Sequence, residues 1–253
     1  MPYLARPDAE IYYEEYGAGY PVMIFAPGGL RSQIEFWRRQ RVNPETPPVW
    51  MDPTATLAPH FRVIAMDQRS SPVGKSRARI GAGDGWDSFA GDHLALMDHL
   101  KIERCHVMGG CIGSSFSLKL CALAPERISS AVLQNPIGLG PDNAGVFPAE
   151  FRRWVGEYRG KYPEADLGAL ESFRKNLYGT DFVFSVTREF VKTCRIPLLV
   201  MPGDDAPHPT VIGEEIARLA PKAEILRQWK GPAHLDAATA FITAFLLKHT
   251  PKS

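Results

Sequence analysis

Cys111 is the residue best suited to chemistry in this chain, because it lies at the centre of the segment 109–113, Gly-Gly-Cys-Ile-Gly. A strand-like apolar run, 104–108, precedes the segment, and a helix-like run, 114–123, follows it. A sharp strand-to-helix turn needs small flanking residues, since larger side chains would clash there. The sulfur would lie near the unpaired amides of a helix start, which favour thiolate over thiol. The pattern therefore predicts a nucleophile elbow with cysteine in the usual serine place.

Two other interpretations compete for this segment. A free cysteine after a strand is most often a small buried residue, and that alternative stays open for Cys111. Glycines between a strand and a helix also occur in dinucleotide and phosphate loops, but neither G-x-G-x-x-G nor G-x-x-x-x-G-K-S/T fits these positions. The segment therefore gives no reason to expect a nucleotide.

A cysteine nucleophile needs a base, and the base needs a carboxylate that orients it. Both are expected in loops at the carboxyl ends of parallel strands. Asp204 and Asp205 directly follow the strand-like run 197–201, and His234 comes after the next predicted helix and strand. The order nucleophile, acid, histidine is the one found on this kind of sheet. His234 is therefore the predicted base, with a surface histidine at a helix start as the alternative.

The composition is that of one large globular domain, or of a domain with a modest insertion: 253 residues, 45% hydrophobic and 23% charged. The formal net charge is +1 and no basic block occurs. The chain therefore lacks an electrostatic footprint for nucleic acid or an anionic membrane, and a small neutral molecule is the expected partner. A homodimer stays open, since exposed aromatic side chains could form its surface.

The first ten residues show no basic segment followed by an apolar one, and no apolar run approaches membrane-spanning length. We therefore expect a cytoplasmic protein. The four cysteines lie at positions 105, 111, 121 and 194, and they show no paired metal-ligand spacing. A chain of this length does not need disulfide bridges to stabilise its fold. Neither disulfides nor a metal site is expected, and no cofactor is predicted.

Short apolar runs alternate with amphipathic ones along most of the chain, which predicts a doubly wound α/β sheet. Residues 11–16, followed by Gly17 and Gly19, predict one arm of an antiparallel hairpin at the sheet edge. The other predicted strands are 21–26, 61–66, 104–108, 128–133, 196–201 and 224–229. The predicted helices are 88–100, 112–124, 212–219 and 237–248.

Two segments depart from that alternation. The first, 31–60, is rich in proline, carries two tryptophans and is too long for an ordinary connection, so an ordered functional loop is expected. The second, 138–194, has apolar residues at helical spacing and predicts a small helical cap over an apolar pocket. The predicted organisation is thus a core of residues 1–137 and 195–253 with a cap of residues 138–194.

Several motifs together resemble the α/β-hydrolase superfamily over about residues 20–249. Residues 27–29, Pro-Gly-Gly, resemble the His-Gly-x turn after the third strand, and 67–69, Asp-Gln-Arg, with Gly74 and Ser76 resemble the loop after the fourth strand. The elbow at 109–113 and the helix ending at 124–127, Ala-Pro-Glu-Arg, complete the set. The resemblance implies an α/β-hydrolase fold, mostly a parallel doubly wound sheet with a small helical cap insertion.

The resemblance also implies roles for particular residues. The backbone amides of Gly29 and Ile112 would form the oxyanion hole. Aligning Pro209 with the proline that usually closes the acid loop favours Asp205 over Asp204 as the acid, and a turn or cap residue is the alternative for either aspartate. The substrate pocket is predicted to include Leu30, Phe151, Trp154 and His208. Packing of cap on core is the alternative for the aromatic residues, and loop polarity is the alternative for His208.

The departures from the family pattern bear on substrate more than on fold. Cysteine replaces serine at position 111, Pro27 stands where histidine is usual, and Pro232 and Ala233 precede His234 where glycine is usual. Thiolate leaves more readily than alkoxide, so the predicted function is a thiol-dependent hydrolase of small, largely apolar esters, thioesters or lactones. An acyltransferase with the same triad and a ligand-binding protein without turnover are the alternatives.

Overall fold

The central sheet has nine strands in this computed structural model, which describes residues 2–38 and 48–252. Its strand order is β1-β2-β4-β3-β6-β7-β8-β9, with β5 paired to β2. All pairs from β4 to β9 are parallel, whereas β1, β4 and β5 pair with β2 in antiparallel fashion. The strands are β1 Tyr3–Ala5, β2 Ala9–Tyr16, β3 Pro21–Phe25, β4 Arg62–Met66, β5 Arg77–Ala78, β6 Cys105–Gly110, β7 Ile128–Gln134, β8 Leu198–Met201 and β9 Ala223–Ile225.

Helices cover both faces of the sheet, because alternate side chains of β3 belong to two different apolar clusters. Met23 and Phe25 belong to one apolar cluster, while Val22 and Ile24 belong to a second. Strands buried on both faces need continuous apolar sequence, and β6, β7 and β8 are buried at every position. These findings confirm the mostly parallel, doubly wound α/β architecture predicted from the sequence.

The helices lie between the strands in the order expected. None of them, over the part of the chain that the structure describes, has the length and apolarity needed to cross a membrane. They are α1 Glu35–Arg38, α2 Pro53–Thr56, α3 Trp86–His99, α4 Ile112–Leu123, α5 Val146–Lys161, α6 Leu167–Tyr178, α7 Arg188–Thr193, α8 Thr210–Leu219 and α9 Leu235–His249.

The helices α5, α6 and α7 fall within the segment 138–194, between β7 and β8. Phe151 and Trp154 of α5 pack against Phe173 of α6, with ring centroids 6.4 and 5.6 Å apart. The indole N–H of Trp154 donates to the Ser70 carbonyl, 3.0 Å away, and so ties this layer to the loop after β4. The exact division into core and cap stays a prediction.

The segment 31–60, predicted to be an ordered functional loop, contains the short helices α1 and α2. The insertion's prolines at 44 and 47 lie outside the described residues, and Trp37 of α1 is fully buried. The arm 11–16 was expected at the sheet edge, but β2 is flanked by β1 on one side and by β4 on the other, because residues 3–5 add the outer strand.

Candidate active site

Cys111 lies at the turn between β6 and α4, with φ 58° and ψ −121°. Its amide donates to the Gln134 carbonyl, 2.9 Å away, which ties the turn to the end of β7. A Cβ on Gly109 would lie 1.9 Å from the Gly113 oxygen, and one on Gly113 would lie 2.2 Å from the Phe25 oxygen. Close backbone packing thus explains the small residues, and it forces a positive φ on the residue between them.

We expect Gly109→Ala to lower the free energy of unfolding by about 3 kcal/mol, because its methyl group would overlap backbone that cannot move without distorting the turn. Chemical denaturation measures the change. Gly156→Ala on α5 is the matched control, since nothing in residues 2–38 and 48–252 outside its own helix backbone lies within 4 Å of the added methyl group. Alanine also favours a helix over glycine by about 1 kcal/mol. Equal stability of the two variants would contradict this account of the turn.

A cavity of about 300 Å³ opens over Cys111. Its wall is largely apolar, and the charged side chains of Arg31, Glu150 and Arg153 also contribute to it. All four residues predicted for the pocket lie on this wall: Leu30, Phe151, Trp154 and His208. The cap helices α5 and α6 supply one side of the cavity, and the loops after β3 and β8 supply the other.

The structure pairs Asp205 with His208 in the loop after β8. His208 Nδ1 lies 2.5 Å from Asp205 Oδ1, and the His208 amide donates to the Asp205 carbonyl, 3.0 Å away. With a carboxylate as acceptor, Nδ1 carries the proton, and Nε2 is left to act as a base. Nε2 is buried and makes no well-aligned hydrogen bond with any residue of 2–38 or 48–252.

Several contacts fix the shape of this loop. Thr210 Oγ1 donates to the Gly203 carbonyl at 2.7 Å, and Asn143 Nδ2 donates to the Ala206 carbonyl at 2.8 Å. A Cβ on Gly203 would lie only 2.4 Å from His208 Cβ, so glycine is needed for the loop to fold back on itself. The histidine is therefore held in place by its own loop and by a side chain from the segment before α5.

Cys111 and His208 interact electrostatically. Burial alone would raise the pKa of the Cys111 thiol, but the neighbouring His208 lowers it, and the net shift is downward. Burial likewise disfavours the charged imidazole, yet Cys111 and Asp205 together raise the pKa of His208 to about 9. The hydrogen bond from His208 in turn lowers the pKa of Asp205. The arrangement favours a thiolate and imidazolium pair at neutral pH.

The backbone amides of Gly28 and Gly29 also lower the pKa of Cys111. Both glycines have positive φ, 111° and 59°, and a Cβ on Gly28 would lie 2.4 Å from the Phe36 ring. Ile112 is the first residue of α4, so its amide is among those without an intrahelical partner. The two amides predicted for the oxyanion hole thus come from two segments. Gly29 belongs to the turn after β3, and Ile112 is the first residue of α4.

The structure does not bring His234 to Cys111. His234 is half-buried at the start of α9, where its amide donates to the Gly231 carbonyl, 3.0 Å away. It lies on a different cavity, together with Asp204 and Lys230. Lys230 also forms an ion pair with Asp204, whose carboxylate is largely exposed, so the acid preferred from the sequence, Asp205, is the aspartate on the Cys111 side.

Two stacked tryptophans connect the wall of the Cys111 cavity to the segment that precedes His234. Trp50 lines the Cys111 cavity, Trp229 lines the His234 cavity, and their rings stack with centroids 5.6 Å apart. The Trp229 indole donates to the Pro202 carbonyl at 2.9 Å, and the Gly231 amide donates to the Val49 carbonyl at 2.7 Å. The segment 48–50 of the insertion thus contacts both the Cys111 cavity and the segment that precedes His234.

Sequence reasoning placed His208 in the pocket and close to Asp205, but it did not assign His208 as the base. The signal available was the spacing Asp205-Ala206-Pro207-His208, directly after β8. Across residues 2–38 and 48–252, no three His, Cys, Asp or Glu side chains are grouped closely enough to bind a metal ion.

The Asp-Gln-Arg motif at 67–69 serves the fold around the cavity. The buried Arg69 guanidinium donates to both carboxylate oxygens of Asp92, at 2.7 and 2.8 Å, and also pairs with Asp8 and Asp84. A buried charge pair needs hydrogen bonds to all of its polar atoms, because an unpaired charge in the interior is costly in free energy. The motif thereby holds the loop that receives the Trp154 indole.

The family model for the alpha/beta hydrolase fold matches residues 21–206, which is more than half of the sequence. The chain therefore belongs to the α/β-hydrolase fold family, as its motifs indicated. The solved enol-lactonase of Burkholderia xenovorans LB400 has the same fold, with a TM-score of 0.65 and 23% identity over 97% of this chain and 100% of that one.

Two curated relatives are similar over shorter segments. RutD of Azorhizobium caulinodans, a proposed carbamate hydrolase, is 32% identical over 135 residues, 53% of this chain and 44% of that protein. The dihydrolipoyllysine-residue acetyltransferase component of the acetoin cleaving system of Pseudomonas putida is 37% identical over 91 residues, 36% of this chain and 24% of that protein. The chain thus spans less than half the length of these relatives.

Proposed function

We propose that this protein is a hydrolase of small, largely apolar esters, thioesters or lactones that acts through an acyl-cysteine intermediate on Cys111. The proposal uses His208 as the base and Asp205 as the residue that orients it, in place of His234. The observation that carries it is that His208, hydrogen-bonded to Asp205, lies on the same largely apolar cavity as Cys111 and interacts with it electrostatically. Similarity to proteins named as carbamate hydrolases is consistent with acyl chemistry.

The proposed reaction has two steps. The Cys111 thiolate attacks the acyl carbon, the Gly29 and Ile112 amides stabilise the oxyanion, and the leaving alkoxide or thiolate takes the proton from His208 Nε2 as the carbon–oxygen or carbon–sulfur bond breaks. Water then gives a proton to Nε2 and attacks the thioester carbon. Collapse of this second intermediate releases the carboxylic acid and restores the thiolate and imidazolium pair.

Acyl transfer is the second candidate, supported by the similarity of part of the chain to a protein named as an acetyltransferase component. It uses the same acyl-cysteine, but an alcohol, amine or thiol replaces water in the second step. The two functions therefore share the first half of the reaction, and only the acceptor separates them.

Intact-protein mass spectrometry tests the proposal. After brief exposure to para-nitrophenyl butyrate, a butyryl thioester or a lactone, we expect the protein to gain the mass of one acyl group, which peptide mapping locates at Cys111. Its decay in buffer alone supports hydrolysis, whereas decay only with an added alcohol, amine or thiol supports transfer. Deacylation should stall in His208→Ala, so turnover by this variant without an adduct would refute the covalent mechanism. The absence of any turnover by the unmodified protein would favour a ligand-binding protein.

A further inference from the structure

Tyr178 is a polar side chain on the wall of the Cys111 cavity, supplied by the end of cap helix α6. Its ring stacks on Phe147 with centroids 5.5 Å apart, and the edge of Phe184 packs against it at 5.2 Å. These two contacts restrict the ring orientation. The position of the hydroxyl group is therefore set by packing and does not depend on a hydrogen bond.

The polar aromatic side chains of the neighbouring cap helix, α5, use their polar atoms within the protein. The Trp154 indole donates to the Ser70 carbonyl, and the Tyr158 hydroxyl accepts from the Ile80 amide at 2.7 Å and donates to the Ala78 carbonyl at 3.2 Å. The Tyr178 hydroxyl makes no hydrogen bond with residues 2–38 and 48–252. Because Tyr178 lines the Cys111 cavity, this hydroxyl is available to a molecule bound there.

The charges around Tyr178 keep its hydroxyl protonated. Burial raises the pKa of Tyr178, and the negative charges on Cys111 and Glu150 raise it further. The group is therefore a hydrogen-bond donor over the whole pH range in which the Cys111 and His208 pair exists. Because Tyr178 and Cys111 line the same cavity of about 300 Å³, the phenol and the sulfur can act on the same bound molecule.

We propose that the Tyr178 hydroxyl donates a hydrogen bond to a substrate held over Cys111, and that it selects acyl groups with an oxygen acceptor near the carbonyl. This inference rests on the proposed acyl-cysteine chemistry and adds a specificity residue to it. Among the neutral donors on the cap helices, those of Trp154 and Tyr158 are already engaged. The charged Arg31 and Arg153 on the wall form ion pairs with Glu157 and Glu150, respectively.

A pair of isosteric esters tests the inference: para-nitrophenyl butyrate and para-nitrophenyl methoxyacetate, which differ by one methylene replaced by an ether oxygen. The quantity measured is the ratio of kcat/KM for the methoxyacetate to that for the butyrate. Because one neutral hydrogen bond is lost, we expect Tyr178→Phe to lower this ratio by about three- to tenfold relative to the unmodified protein. Comparing this ratio between Tyr178→Phe and the unmodified protein cancels the higher intrinsic reactivity of the methoxyacetate, which is the same for both proteins.

Tyr162→Phe is the matched control, since Tyr162 directly follows cap helix α5 but lies on a different surface cavity, beside Arg77 and Arg79. Its ratio should stay that of the unmodified protein. An unchanged ratio in Tyr178→Phe, with Cys111 still acylated by both esters, would overturn the inference and leave the proposed function intact. Failure of either ester to acylate Cys111 would instead count against the proposed function.

Discussion

Cys111→Ala is expected to lower kcat/KM for para-nitrophenyl butyrate by about ten-thousandfold or more, because it removes the atom that would form the covalent bond to the acyl group. Alanine is smaller than cysteine and keeps its Cβ, so the elbow between Gly109 and Gly113 need not change. Progress curves of nitrophenol release, followed with the purified variant and the unmodified protein side by side, measure the loss.

Cys194→Ala is the control for loss of a thiol in general. Cys194 is buried beside Cys121, on a cavity that does not include Cys111. Its alanine variant should retain activity within about twofold, as expected for a site remote from the reacting atoms. Activity that survives in Cys111→Ala, with nitrophenol still released in repeated turnovers, would show that another group is the nucleophile and would refute the proposed mechanism.

His208→Ala is expected to lower kcat/KM for the same ester by about a thousandfold, whereas His234→Ala should change it by less than about twofold. The reason is geometric: His208 shares the cavity with Cys111 and is oriented by Asp205, while His234 lies on a different cavity. The two histidine variants serve as controls for each other, since both remove an imidazole from the same half of the chain.

The pH dependence of Cys111 alkylation by iodoacetamide shows whether His208 acts through the thiolate. The pKa of Cys111 is lowered by His208, so the unmodified protein should react at pH 7 about tenfold faster than His208→Ala, whose profile should move to higher pH. The pair persists as pH rises until His208 loses its proton at about 9. A large loss of activity in His234→Ala, with an unchanged alkylation profile in His208→Ala, would restore His234 as the base.

An acid and a base from one loop would make the catalytic groups less dependent on the end of the chain. In the pattern predicted from the sequence, the base comes from the segment after the last strand, and its position depends on how α9 packs. Here Asp205 and His208 are three residues apart in a loop held by Thr210 and Asn143.

The sequence by itself determined the layered sheet, its parallel character and the turn at Cys111. These are local properties: apolar runs of strand length, amphipathic runs between them, and glycines where a Cβ would overlap backbone. The same reasoning placed Asp205 and His208 at the carboxyl end of β8, since the position of a loop follows from the strand before it. The resemblance to the family added four residues of the pocket wall, Leu30, Phe151, Trp154 and His208, but not Trp50 or Tyr178.

Only the tertiary structure decided which histidine lies next to Cys111. His208 and His234 both follow strands of the sheet, so their positions in the sequence do not separate them. In the tertiary structure His208 lies on the Cys111 cavity, whereas His234 lies on another and follows a segment that contacts residues 49 and 50. Such contacts have no periodicity and no fixed spacing, because side-chain volume and the path of an insertion determine them once the core has formed.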